Sequence, residues 1–148
     1  MSINTILNTL YQNYAQFFSP AQMMDIQRTS ISLVKKGWIQ IPSDYIQFLH
    51  ITDGLSWNGL ELFSIHEHER RDSVFGQPTL LAYQTEYSLK QLFAKALIVG
   101  RFCEELILYR SDLKEYHIVD RYTFDVIIKL PRLTDVLHFY AKPVLSSS

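Results

Sequence analysis

An α+β fold is predicted by three patterns in these 148 residues. Apolar residues recur at three- and four-residue spacing near the N-terminus, as in amphipathic helices. Between Ala96 and Ile128, short runs rich in Leu, Ile, Val and Tyr alternate with polar turns, as in a strand meander. Beyond Pro131 a further helical pattern runs from Leu133 to Tyr140. The expected arrangement is a set of N-terminal helices packed on a mostly antiparallel sheet of about five strands, closed by a C-terminal helix. The length suits one domain, 1–148, with a sizeable core.

The first helix is expected to carry Ile3, Ile6, Leu7, Leu10, Tyr11, Tyr14 and Phe17/Phe18 on one side. It should end near Ser19-Pro20, because proline disfavours helix in the residue before it. The same pair reads as the start of a second helix, with Ser19 as N-cap and Pro20 in the first position. Met23, Met24, Ile26, Ile31 and Leu33/Val34 supply its apolar face; Lys35-Lys36 oppose the negative dipole end, and Gly37 caps it. After an extended link, Trp38 to Ile41, Ser43 caps a third helix that reaches Thr52, buries Tyr45, Phe48 and Leu49, and stops at Asp53-Gly54.

Leu60 to Ser64 reads as the first strand. Ile65 to Thr79 is polar, contains Gly76 and Pro78, and reads as an exposed loop. Leu80 to Ala94 is ambiguous, with Leu89, Leu92 and Phe93 at the spacing of a short helical stretch. Strands follow at Ala96–Gly100, Glu104–Arg110, Tyr116–Asp120 and Phe124–Ile128, with a turn at Ser111-Asp112. Apolar residues on both faces of several of these imply a sheet covered at least partly on both sides. Pro143 and the Ser146-Ser147-Ser148 tail read as a frayed end.

Composition excludes more than it assigns. With 47% apolar and 20% charged residues the chain has the make-up of a folded domain, not of a disordered segment. Its 9 Tyr, 9 Phe and 2 Trp should be mostly core, with some left as surface anchors. The single cysteine, Cys103, excludes an internal disulfide and a CxxC knuckle, and reads as a small buried hydrophobe. The opening MSINTILNTLYQN lacks the basic start and long apolar run of a leader peptide, and no stretch approaches the ~18 apolar residues of a membrane span. A cytoplasmic protein is therefore expected. A net charge of −1 gives no broad basic face for nucleic acid. The charge is uneven, with 12 acidic and 8 basic residues from Asp53 to Asp125 against 3 and 6 elsewhere. That bias would suit a basic partner.

No motif points to catalysis or to a cofactor. His66-Glu67-His68-Glu69-Arg70-Arg71 is not HExxH, since the histidines are two apart. On extended backbone they would share a side, but zinc needs further ligands that the sequence does not specify. GxSxG, GxxxxGK[ST] and GxGxxG are absent. Ser43 and Ser56 read as cap and turn residues. Glu104 and Glu105, adjacent on a strand, would face opposite sides and make a poor acid/base pair.

The segment from Ile41 to Ser64, IPSDYIQFLHITDGLSWNGLELFS, carries the most information. Its order of Pro-Ser helix start, short helix with Tyr45 and Phe48, Gly-terminated turn and strand resembles the signature "lPxdYxxFLxxxnG…l" of the SMI1/KNR4 superfamily, also called SUKH. The Trp57-Asn58-Gly59-Leu60-Glu61-Leu62 run is similar to the YrhA-like branch. The later order of strand-Gly-turn-strand, Tyr-x-Ile-Val-Asp, strand and closing helix is similar too, so the resemblance extends from Ser19 to Tyr140.

The resemblance implies binding without turnover. Bacterial SUKH proteins are commonly immunity proteins that neutralise toxins of contact-dependent or polymorphic systems by occluding an active site or an essential surface. The implied partner is a cognate protein toxin, a basic nuclease if the acidic bias matters, with no nucleic acid or membrane involved and a monomer or homodimer as the state. Fungal relatives linked to cell-wall signalling imply an alternative, a regulatory interaction or scaffold domain. A metal- or small-ligand-binding protein using the His66/His68 loop is a third reading.

Trp57, in the polar turn Ser56 to Gly59, reads in two ways. Its ring folds back over the core and pins the turn, or it is an exposed aromatic anchor for a partner. In the second case Asp53, Asn58 and Glu61 form a polar rim, and Tyr109, Asp112, Asp120 and Tyr122 extend the surface at the strand ends. Each of these also reads as a turn former or a solvated side chain.

Overall fold

A computed structural model describes residues 1–71, 73–86 and 95–145. Among them the helices are α1 (Ile3–Gln12), α2 (Met23–Lys35), α3 (Ser43–Ile51), α4 (Leu80–Glu86) and α5 (Leu133–Leu145). The strands are β1 (Gln16–Phe17), β2 (Leu55–Trp57), β3 (Leu60–Leu62), β4 (Ala96–Phe102), β5 (Glu105–Arg110), β6 (Glu115–Asp120) and β7 (Val126–Leu130). They form one antiparallel sheet in chain order, β1 to β7. The class is the α+β one expected.

The sheet has seven strands where about five were expected from the turn-and-run pattern. Both additions lie before Leu60. Trp57 pairs with Leu60 across Asn58-Gly59, whose φ angles of 48° and 86° suit a two-residue type I′ hairpin. The Asn-Gly pair was therefore a hairpin signal, and Trp57 is a strand residue beside a turn. Phe17 then pairs with Leu55 to add the short β1.

That pairing explains why α1 stops at Gln12 instead of running to Ser19. The Ala15 N–H donates to the Leu10 carbonyl (3.0 Å) and the Tyr14 N–H to the Tyr11 carbonyl (3.2 Å), a Schellman ending with Tyr14 in the left-handed position, φ 71°. Nor does Ser19-Pro20 start α2. The Phe18 N–H is taken by Thr52 Oγ1 (2.9 Å) and the Ala21 N–H by the Leu49 carbonyl (2.9 Å), which holds the segment extended along the end of α3. Gln22 occupies the N-cap position of α2, and Pro42 that of α3, neither with a side-chain cap bond. Gly37 does end α2 as expected, in the same Schellman pattern: Trp38 N–H to Leu33 carbonyl, Gly37 N–H to Val34 carbonyl.

At the other end, α5 continues through Pro143 because Leu145 docks in the core at 4% exposure. A proline there removes one N–H bond and crowds the Phe139 carbonyl four residues back, and in the last turn little helix remains to be disturbed. Leu89, Leu92 and Phe93, and the Ser146-Ser147-Ser148 tail, lie outside the described residues. Cys103 is not buried: it is exposed in the β4–β5 turn at φ 51°.

Both faces of the sheet are covered in part, with β7 left largely exposed. Neighbouring residues Phe102 and Arg101 point to opposite sides. Tyr140 of α5 packs on Phe102 (centroids 4.8 Å apart), whereas Tyr83 of α4 lies under the Arg101 guanidinium (5.6 Å). Ile6, Leu7 and Leu10 of α1 and Leu133, Val136, Leu137 and Ala141 of α5 are buried where these two helices meet. Helix α3 is tied to the sheet by the Tyr45 hydroxyl, 2.5 Å from the Phe63 carbonyl and 3.0 Å from that of Val99, at the irregularity in the β4 register. Burial, reinforced by the Asp53 charge, pushes the Tyr45 pKa well up, so it serves as a neutral donor. Asp44 does similar work at the start of α3, accepting from the Tyr116 hydroxyl (2.6 Å) and the Leu133 N–H (2.9 Å).

Between α3 and β2 the chain turns at Gly54, φ 96°. A Cβ there would sit 2.9 Å from the Leu62 carbonyl oxygen and 3.0 Å from Ser64 Cβ. Gly54→Ala should therefore lower the unfolding free energy by about 2 kcal/mol or more, combining left-handed strain with the clash. A urea melt reads this as a lower midpoint at unchanged slope.

Candidate functional site

The loop from Ile65 to Thr79 is polar but far from loose. Asp53, 0% exposed, accepts the N–H of Ile65 at Oδ1 (2.7 Å) and that of His66 at Oδ2 (3.0 Å). His68 Nε2 lies 2.8 Å from the same Oδ2, its ring stacked on Phe18 at 4.5 Å. His66 instead reaches Asp25 of α2 at 3.1 Å. The two histidines thus serve different carboxylates. No group of three or more His, Cys, Asp or Glu side chains converges as a metal site among the described residues.

Further along, Glu61 holds two arginines, Arg70 at 2.9 Å and Arg101 at 2.9 Å, with only 8% of the glutamate exposed. Gln77, buried at 3%, donates Nε2 to the carbonyls of Leu62 (2.7 Å) and Leu55 (3.3 Å), and its own N–H goes to the His68 carbonyl (2.8 Å). Gln16 of β1 completes the clasp. Its amide donates to the Glu69 carbonyl (3.2 Å) and accepts from the Arg71 N–H (3.0 Å).

These bonds place Arg71 against the end of α1, where a hollow of about 440 Å³ opens between Asn13, Tyr14, Gln16, Ser56, Trp57, Asn58 and Arg71. Trp57 forms part of its wall. Its ring is 9% exposed and its Nε1–H donates to the Asn13 carbonyl (2.9 Å), one of the orphan acceptors at the α1 C-terminus. The ring does fold back and pin the turn. Tyr14 stands beside it, 89% exposed, with its carbonyl 3.3 Å from Arg71 Nη2.

Tyr14 breaks a local rule. The residue in the left-handed position of a Schellman ending is usually glycine, because a Cβ there costs about 1 kcal/mol. Helix α2 obeys the rule with Gly37, whereas α1 has tyrosine. A ring 89% exposed recovers little of that cost by packing.

The residues expected to form one binding surface are dispersed. Asp53 and Glu61 are buried and engaged inside, so neither is a rim residue, and both are lost from the presumed acidic surface. Asn58 is exposed next to Trp57 at the turn. Asp120 and Tyr122 belong to the β6–β7 turn, at the Glu105 end of the sheet, where Asp120 Oδ1 accepts the N–H groups of Tyr122 (2.8 Å) and Thr123 (2.9 Å). Those N–H groups hold its pKa below the usual carboxylate range. Tyr122 is 69% exposed. Tyr109 and Asp112 lie at the opposite end. Tyr109 is half-buried edge-on to Tyr116 (5.0 Å), its pKa raised by burial and then by Asp44, and Asp112 is bound by Arg110 at 2.8 Å. Successive turns of a meander fall at alternate ends, roughly 17 Å apart for a six-residue strand. Asp112 and Asp120 therefore could never share a turn cluster.

Sequence reasoning missed Tyr14, Arg71 and Gln77. Tyr14 reads as one more apolar position of α1 until the pairing of β1 is known. Compared with known proteins, the chain matches no family model and no curated protein.

Two measurements follow from this geometry. Asp53→Ala leaves two backbone N–H groups and His68 without their acceptor and should cost about 3 kcal/mol in a denaturant melt. Tyr14→Gly should do the reverse, raising the unfolding free energy by ~1 kcal/mol.

Proposed function

We propose that this protein is a non-catalytic protein-binding domain of the SMI1/KNR4 (SUKH) type, and that it neutralises a cognate toxin by direct contact. The observation that carries the reading is Tyr14: an almost fully exposed aromatic ring held in a backbone position that favours glycine. Stability is spent there on a side chain aimed at solvent, which is the pattern of a residue kept for a partner. Tyr, Trp and Arg are the usual anchors of protein interfaces. Here Tyr14, Trp57 and Arg71 border one hollow.

The resemblance of Ile41 to Ser64 to the SUKH signature supports the family side of the proposal. Its Asp44, Tyr45, Phe48, Leu49 and Gly54 all have structural duties in this fold. The toxin contact then falls on residues without such duties, at the end of α1, in the β2–β3 turn and at the base of the loop. Among the described residues bordering the hollow the charged one is the cationic Arg71, so the partner group entering it carries a carboxylate or carbonyl oxygen.

The test begins with tagged wild-type protein recovered from its own cells and mass spectrometry of what is retained. A stoichiometric partner that arrests growth when expressed alone, and is silenced by co-expression of this protein, is the expected result. Tyr14→Gly should weaken the purified pair by at least about tenfold while raising the melting temperature. A non-toxic partner, or a Tyr14→Gly variant that binds as well as wild type, would sink the proposal.

A further inference from the structure

Helix α2 is apolar on two sides. Ile26 and Leu33 point inward and are 0% exposed. Met23, Met24, Ile31 and Val34, expected in the core, are instead 44%, 61%, 55% and 47% exposed. At 100° per residue these four fall within one stripe about 100° wide. Arg28 and Lys35, seven positions apart and exposed, border one side of it. Beside Ile31 and Val34 lies a hollow of about 320 Å³, lined also by Ser30, Lys35 and Gln40.

Four large apolar side chains exposed together on one helix mark an interaction surface more often than a solvent-facing one. From its chemistry we propose that this face of α2 binds an amphipathic helix of another protein, with an apolar side chain seated beside Ile31 and Val34 and acidic side chains along the Arg28/Lys35 border. A second copy of α2 fits less well. Antiparallel packing about a twofold axis brings like edges together, so Arg28 and Lys35 would face Lys35 and Arg28. A bilayer fits less well too, because the stripe carries Gln27 in its middle, has no aromatic anchor, and a hollow offers nothing to fluid lipid. The helix-in-groove mode uses anchors at these spacings. This surface does not depend on the Tyr14 hollow.

The probe is a pair of designed helical peptides with identical leucine stripes, one flanked by Glu and the other by Lys. Binding to the full chain is followed by amide chemical shifts in NMR titrations. The Glu peptide should shift α2 resonances and bind at least tenfold more tightly than the Lys peptide. Ile31→Glu should abolish that binding. An Arg28→Glu, Lys35→Glu double variant should invert the preference. Tyr14→Gly should leave the affinity unchanged, which separates this surface from the toxin contact. Equal binding of both peptides, binding of neither, shifts outside α2, or association only with phosphatidylglycerol vesicles would each overturn the proposal.

Discussion

The carboxylate of Asp53 is the constraint on which much of the structure depends. A carboxylate with no solvent access is tolerable only if its oxygens are occupied by donors. Asp53 meets that requirement with two backbone N–H groups and one imidazole. Satisfying it draws the start of a long loop onto the end of α3. The loop then carries Arg70 to Glu61 and Arg71 to Gln16. The β1 edge, the β2–β3 hairpin and the hollow over Trp57 inherit their positions from this arrangement. One buried side chain behind α3 thus organises groups contributed from Gln16 to Gln77.

Much of the fold was legible because apolar spacing and turn residues agreed. The C-terminal ends of α2 and α3, the four strands from Ala96 onward and the closing helix follow from hydrophobic period, Gly37, Gly54, Pro131 and polar turns. What escaped was decided by tertiary partners. Phe17 and Phe18 fit a helix by spacing, but pairing with Leu55 and the Thr52 hydroxyl outweighs a few further helical bonds. Ser19-Pro20 has the chemistry of a helix start and is overruled by the Leu49 carbonyl. The Asn58-Gly59 pair carries a hairpin signal, but with only Leu55 to Trp57 before it the strand it closes is too short to stand out. The candidate site was less legible than the fold. Asp53 and Glu61 look like rim residues until their partners, from 9 to 40 positions away, are known. Nothing in the local sequence marks Tyr14 as left-handed.

Inside and outside follow different logic in this chain. Polar groups such as Asp44, Tyr45, Asp53 and Gln77 are held by specific bonds to backbone or to side-chain partners. Departures from local preference sit in turns and on the surface: Tyr14, Cys103, Lys114 and Phe124 are left-handed, and α2 carries an exposed apolar stripe. Packing does not explain the exposed Tyr14 side chain or that stripe. Side chains at those places can change without loss of core contacts.

The order of the strands has a kinetic consequence. Every neighbour in the sheet is also the next strand along the chain. Strands β2–β3 and β4 to β7 can zip hairpin by hairpin, whereas β1–β2 and β3–β4 pair only across long connections that hold α2 and α3, and α4. Folding speed falls as contacting residues grow more distant in sequence, and a meander lies at the favourable end for β-rich proteins. Contacts that span most of the chain tie α1 to α5, and Asp44 of α3 to Tyr116 and Leu133. Joining the two terminal helices closes the longest of these loops, so it carries the largest closure entropy, and mutations in their shared interface should act on that step.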